Sequence, residues 1–257
     1  METERHKELI QEEFTKRATR GGSSITDDHL KDIVELAAPK PEDEVLDVAT
    51  GTGRLALALA PSVHWVLGVD LTESALDQAR ATAEANEIDN VDFHLGDAEE
   101  LFFPDDNFDL VTCSLAFHHF PNPDVPLAEI VRVCKKNASI LIVDRVASDD
   151  RHERELQNHL CKLQDPSHVR LHSRDEFHYL CGHEHVRIVG ERRWETVREF
   201  EEWMMRGNPT ADAEQELRAA FAEALEEDRT GMQIRRAEDG TVQFIQRWVA
   251  ILLRKLA

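Results

Sequence analysis

Three acidic residues, each at or near the end of a short apolar run, carry most of the chemistry this sequence can do. Asp47 sits inside Glu44-Val45-Leu46-Asp47-Val48, which passes directly into Ala49-Thr50-Gly51-Thr52-Gly53. Glycines at 51 and 53 let the backbone turn tightly and approach a ligand, and the helix that follows would present unpaired N–H groups. Asp70 closes the next apolar run, His64-Trp65-Val66-Leu67-Gly68-Val69-Asp70. A carboxylate there can take two ribose hydroxyls on its two oxygens. Asp97 follows a third run in Gly96-Asp97-Ala98-Glu99. A carboxylate beside a free backbone N–H can pair with an adenine edge, Asp97 accepting from the amino group and the Ala98 N–H donating to a ring nitrogen.

Gly51-x-Gly53-x-x-Ala56 followed by Asp70 also fits a dinucleotide-binding turn, so the glycines alone leave two ligands open. Asp47 separates them. Four residues ahead of Gly51, its carboxylate would repel a pyrophosphate and favour a cationic ligand, directly or through water. Adenine, ribose and a cationic amino-acid tail without phosphate describe S-adenosylmethionine. His118 and His119 follow the fourth apolar run, at the edge of a parallel sheet where ligands bind. They are the candidate catalytic residues, one of them acting as a general base near a methyl acceptor, against the plainer reading of loop histidines that pack near Phe120. Cys181-Gly182-His183-Glu184-His185 has the residue types of a metal site but no second cluster at a suitable spacing, and no metal is expected.

These residues need elements to hold them. Glu2 to Arg20 spaces Leu9, Ile10, Phe14 and Ala18 as an amphipathic helix, broken by Gly21-Gly22, a hinge for a lid; a second helix starts at Thr26-Asp27 and stops before Pro39. From Glu44 the chain alternates short apolar strands with helices, including the helix VPLAEIVRVCKK and the strand SILIVDRV. That rhythm implies parallel strands joined by right-handed crossovers, a doubly wound α/β sheet. Residues 149–182 and 196–229 read as helical around a strand near 186–194, with Phe200, Trp203 and Met204 on one packing face. Two extended runs around Asp239-Gly240 signal a terminal hairpin over 231–254. The expected organisation is one domain, 1–257: helices over 1–38 as a lid, a ligand-binding core over 42–146, a helical cap over 149–229 and the hairpin.

Composition narrows the class. The 257 residues carry 30 Lys+Arg against 51 Asp+Glu, a net charge of −21, which excludes a basic face for nucleic acid or for an anionic membrane. A hydrophobic fraction of 41% fits a folded globular chain. Four cysteines make no disulfide framework, and neither a signal peptide nor a membrane-length apolar run is present, so a cytoplasmic protein is expected.

Residues 42–146 resemble class I S-adenosylmethionine-dependent methyltransferases, nearest the ubiquinone/menaquinone biosynthesis C-methyltransferase group. The motifs are VLDVATGTG, GVDLTESALDQAR, GDAEELFFPDDNFDLVTCSLAFHHFPNP and EIVRVCKKNASILIVD, with DPSHVRLHSRDEF extending the likeness weakly. The resemblance implies a Rossmann-like seven-stranded sheet, mostly parallel with its last strand antiparallel, N-terminal helices and a C-terminal helical insert. It implies cofactor contacts from Asp47, Ala49, Gly51, Thr52 and Gly53 to the methionine moiety, Asp70 and Leu71 to the ribose, Asp97 and Ala98 to adenine, and Ser114 at the end of the fourth strand. The activity implied is methyl transfer to a small-molecule acceptor by in-line displacement, with carbon or oxygen acceptors favoured and a homodimer compatible with the class. The family's Lys-Pro-Gly-Gly turn is Lys135-Lys136-Asn137-Ala138 here, and Asn tolerates the left-handed conformation such a turn needs. Two other readings remain at this point: a nicotinamide-dependent oxidoreductase, which needs neither Asp47 nor the Gly96-Asp97-Ala98 corner, and a module that binds the cofactor without turnover.

Overall fold

Short apolar strands separated by helices have one stable arrangement, strands side by side with helices covering both faces. The computed structural model describes residues 2–18, 25–182 and 185–257, and adopts that arrangement. Helices α1 (Glu2–Ala18) and α2 (Asp27–Ala37) come first. Then follow β1 (Glu44–Val48), α3 (Arg54–Leu59), β2 (Trp65–Asp70), α4 (Glu73–Ala85), β3 (Val91–Leu95), β4 (Phe108–Ser114), α5 (Asp124–Val133) and β5 (Cys134–Val146). The C-terminal part contains α6 (Arg151–Gln164), α7 (Arg174–Cys181), β6 (Val186–Glu199), α8 (Phe200–Arg206), α9 (Ala211–Ala224), β7 (Arg235–Arg236) and β8 (Val242–Lys255).

The sheet runs β3-β2-β1-β4-β5-β8-β6, and the two-residue β7 pairs with β8 as an eighth strand. Strands β1 to β5 are mutually parallel, whereas β8 is antiparallel to both β5 and β6. This is the mostly parallel Rossmann-like sheet with an antiparallel last strand that the sequence implies. One face packs Ile33, Leu55, Leu59 and Leu76 against the strands, the other Leu127, Ile130 and Phe177. A third cluster joins α6, α8 and α9 through Leu160, Phe200, Trp203, Met204 and Phe221 to Phe244 of β8, so the apolar face of α8 is a packing face.

Several boundaries differ from the sequence expectation. The helical reading of 149–182 breaks after Gln164, because the residue before Pro166 is biased away from helix. The strand expected over 186–194 continues to Glu199, drawn on by pairing of Thr196 and Val197 with Gln246 and Ile245. The expected terminal hairpin is lopsided. Its first arm is two residues long, because Gly231 and Gln233 adopt φ of 66° and 55° and break the extended run; β8 finds its long partner in β6. The helix expected to reach Lys136 stops at Val133, and the fully buried Cys134 opens β5 instead. Asn137 has φ 62°, the left-handed conformation expected of it. All four cysteines are buried and unpaired. The Gly21-Gly22 hinge and His183 and Glu184 lie outside the described residues.

Gly53 caps α3 with φ 76°, and a Cβ added there would come within 2.8 Å of the Phe93 ring and 2.9 Å of Ala79. Gly53→Ala therefore combines left-handed strain with overpacking. It should lower the unfolding free energy by about 2–4 kcal/mol in urea titrations. A loss well under about 1 kcal/mol would show that neither cost applies.

Candidate active site

The turn after β1 is pinned from two sides. Asp70, the last residue of β2, accepts the Gly51 N–H on Oδ2 at 2.8 Å and the Thr72 N–H on Oδ1 at 2.9 Å. Burial pushes its carboxyl above the ordinary range, and these two N–H donors pull the other way. Beneath the turn, Asp47 is completely buried. Its Oδ2 accepts the Thr50 hydroxyl at 2.7 Å and its Oδ1 the Thr112 hydroxyl at 2.5 Å, tying β1 to its own turn and to β4. Burial pushes Asp47 up to about 6, against the stabilising effect of both hydroxyls. The turn is a strained one. Ala49 at the end of β1 and Leu115 just past the end of β4 adopt φ of 54° and 58°, and both line the cavity described next.

This cavity opens at the carboxyl ends of β1, β2 and β4, with about 500 Å³ of empty space including its open mouth. Its floor and one side are Ala49, Val69, Asp70, Leu71, Gly96 and Ala98; the opposite side is Leu115, Ala116, His119 and Phe120. No Lys or Arg is among its described lining residues. A Cβ added at Gly51 would meet nothing within 4 Å, so this backbone faces open space. Among the described residues the Ala98 N–H has no hydrogen-bond acceptor.

Helix α1 closes one side. Ile10 and Phe14 enter the lining, and the Phe14 ring meets His119 edge-on at 5.1 Å. Polar contacts fix the helix to each neighbouring loop: Gln11 donates to the Leu71 carbonyl at 2.9 Å, and His6 Nε2 lies 2.9 Å from the His119 carbonyl. Lys7 reaches both acids of the third strand's corner, Asp97 at 2.6 Å and Glu99 at 2.7 Å. Burial works against the Lys7 charge, but the two carboxylates outweigh it and hold the ammonium protonated well above its ordinary range.

The two histidines, on a single 3-10 turn at Phe117–His119, divide. His119 lines the cavity, while its Nδ1 lies 3.1 Å from the Ser167 carbonyl and its Nε2 lies 3.9 Å from Asp165. His118 is turned away from the cavity. Its Nδ1 lies 2.7 Å from Asp144 Oδ1, and its backbone N–H donates to Asp144 Oδ2 at 3.1 Å. Asp144 is pushed up to about 6, chiefly by burial, with the positive charge of Arg145 opposing.

Of the residues singled out from sequence, Ala49, Asp70, Leu71, Ala98 and His119 line one cavity. Asp97 is at its corner in the grip of Lys7, and Gly51 arches over the turn. Asp47 acts from below through Thr50 and Thr112, without touching the cavity. Thr52, Gly53, Ser114 and His118 lie outside the lining. Sequence reasoning missed Lys7, Leu115, Phe120, Thr112 and Ser167. For Lys7, a cation on the apolar-striped first helix of so acidic a chain was the available signal; the others meet the site only through tertiary pairing.

Comparison with known proteins agrees with this geometry. A family model described as a methyltransferase domain matches residues 39–204. YcgJ of Bacillus subtilis, an uncharacterised methyltransferase, is 35% identical over 197 residues, covering 77% of this chain and 78% of its own. The YcgJ crystal structure superimposes with TM-score 0.82 at 33% identity over 89% of this chain and 98% of that one. The demethylmenaquinone methyltransferase of Deinococcus radiodurans is 40% identical over 113 residues, 43% of this chain and 46% of that protein. The ubiquinone/menaquinone biosynthesis C-methyltransferase UbiE of Hydrogenovibrio crunogenus is 38% identical over 116 residues, again less than half of either chain. The chain belongs to the S-adenosylmethionine-dependent methyltransferase family. It is a methyltransferase with a Rossmann-like fold, and S-adenosylmethionine is its cofactor.

Two outcomes follow from the geometry. With a folded-state value near 6 against about 4 when unfolded, Asp47 binds more protons in the folded state across that interval. Ionising it therefore costs the fold stability as pH rises from about 4 through 6. Asp47→Asn, which cannot ionise, should gain stability relative to the parent across that range, by up to about 3 kcal/mol in urea titrations; a pH-independent difference would contradict the assignment. Lys7→Met removes the ion pairs that Lys7 makes with Asp97 and Glu99. Amide hydrogen exchange across residues 2–18 should quicken by about tenfold with the sheet unaffected, and unchanged exchange there would mean that the helix is held without the Lys7 ion pairs.

Proposed function

We propose that the cavity holds S-adenosylmethionine in contact with Asp70, Leu71, Asp97 and Ala98, with its methionine end against the Ala49–Gly53 turn. The observation that carries this reading is the charge arrangement: the Asp70 carboxylate in the wall of a cleft with no Lys or Arg among its described lining residues, and a second carboxylate, Asp47, below the glycine turn. A pyrophosphate would meet repulsion there, whereas a sulfonium with an amino-acid tail meets attraction. Asp70 has lone pairs left after receiving Gly51 and Thr72, enough for two ribose hydroxyls. Asp97 and the unpartnered Ala98 N–H match the amino group and a ring nitrogen of adenine.

Bound S-adenosylmethionine supplies a methyl group already activated on sulfur, so the chain's task is to orient the acceptor and exclude water. Ile10, Phe14, Leu115 and Phe120 offer an apolar wall for a small, flat acceptor, and α1 acts as a lid over it. Together with the cap over 149–229, these helices serve one methyltransferase domain. Among the described lining residues His119 is the titratable side chain on the acceptor side, and it is the candidate base. His118 is a positioning residue, fixing that loop to β5 through Asp144. Relatives named as quinone C-methyltransferases favour a carbon or oxygen acceptor over a nitrogen.

Release of S-adenosylhomocysteine with a panel of small phenols, enols, naphthoquinols and amines tests this reading. At least one phenolic, enolic or quinol compound should be methylated. Asp70→Ala should cut kcat/KM for the cofactor by about a hundredfold through loss of charge-assisted hydrogen bonds. Methylation confined to amines would contradict the acceptor class, and an unaffected Asp70→Ala would remove the ribose assignment.

A further inference from the structure

A second cavity shares no lining residue with the first. It lies between α6, α8 and the paired ends of β5 and β8, with about 370 Å³ of empty space including its mouth. Its lining contains hydrogen-bond donors that the described chain leaves unused. The Arg145 guanidinium has no hydrogen bond or ion pair with any described residue, and neither has the Gln246 side-chain amide. Trp203 is 3% exposed, and its buried indole N–H has no acceptor. Leaving such a donor buried and unpaired is unfavourable, and a ligand oxygen brought beside it would remove that penalty.

The surroundings add positive charge. Arg198, 8% exposed, has a buried Nε without a partner. Its nearest carboxylate, Glu202 at 3.6 Å, is shared with Arg206 at 2.7 Å. Burial, then the neighbouring charges of Arg206 and Arg145, lower the Arg198 value despite Glu202. Arg247, also on the cavity wall, is already held by Glu195 and the Gly231 carbonyl. Asp144, next to Arg145 in sequence, is committed to His118. In a chain of net charge −21, an arginine facing a cavity without an ion pair to any described residue is conspicuous. The rest of the wall includes Cys161, Met232 and Ile245, which suit an apolar body rather than a bare inorganic ion.

We propose that this cavity binds a small organic anion, a carboxylate on an apolar body, with Arg145 pairing with the charge and the Trp203 indole N–H and Gln246 amide donating to its oxygens. The inference stands whichever acceptor the first cavity takes. The test uses the full chain labelled with ¹⁵N, phenylacetate as the anionic probe and phenylacetamide as its neutral counterpart. The chain has 4 tryptophans, and Trp203→Phe assigns the Trp203 indole signal. Phenylacetate should shift that signal saturably, phenylacetamide should bind about tenfold more weakly or worse, and Arg145→Met should weaken phenylacetate by at least about tenfold. Circular dichroism verifies that the variant is folded. Should Arg145→Met fail to fold, Gln246→Leu takes its place, with a loss of about threefold or more expected. An indole signal unmoved at about 10 mM phenylacetate, equal binding of acid and amide, or a folded variant that binds as the parent does would each overturn the proposal.

Discussion

The Asp70 carboxylate is the joint on which the active-site end of the sheet is assembled. One oxygen holds the Gly51 N–H and so fixes the turn that leaves β1; the other holds the Thr72 N–H and fixes the entry to α4. Asp47 does the complementary work from below, gripping Thr50 of the same turn and Thr112 of β4. A fully buried acid and a half-buried one in one short stretch of sheet are electrostatically costly, and the carboxyls of both are pushed upward by desolvation. A fold selected for stability alone would place apolar residues there. Both carboxylates make sense as fixed negative charge under and beside a cationic ligand, an arrangement preorganised before the ligand arrives.

The same logic extends to α1. Asp97 and Glu99 form a second acidic corner, and in the free chain Lys7 neutralises it. A ligand group that pairs with Asp97 and the Lys7 ammonium thus address the same carboxylate, which couples the position of α1 to occupancy of the cleft. Apolar contact from Ile10 and Phe14 keeps the helix over the cleft independently of that ion pair.

Much of this was legible in sequence because parallel strands buried on both faces read as short continuous apolar runs, and strand ends in such sheets are where ligands sit. Asp47, Asp70 and Asp97 could be placed at those ends by counting residues. Boundaries failed where pairing overrode local propensity. Thr196 to Glu199 became strand because β8 offered partners, and Cys134 left its helix because it is buried in the sheet. His118 and His119 are adjacent in sequence, yet Asp144, 26 residues further along the chain, turns one of them away from the cleft. No local pattern encodes that. The meeting of Arg145, Trp203 and Gln246 likewise depends on three separate elements converging, and periodicity along a single element cannot reveal it.

Calorimetric titration of the purified chain with S-adenosylmethionine and, separately, with NAD bears most directly on the role of the acidic cleft. Saturable binding of S-adenosylmethionine with a Kd of about micromolar order, and none of NAD, is the result predicted by carboxylates at 47 and 70 with no Lys or Arg among the described lining residues. Binding of NAD as tight as that of S-adenosylmethionine would contradict it, because the pyrophosphate would then sit where these charges should repel it.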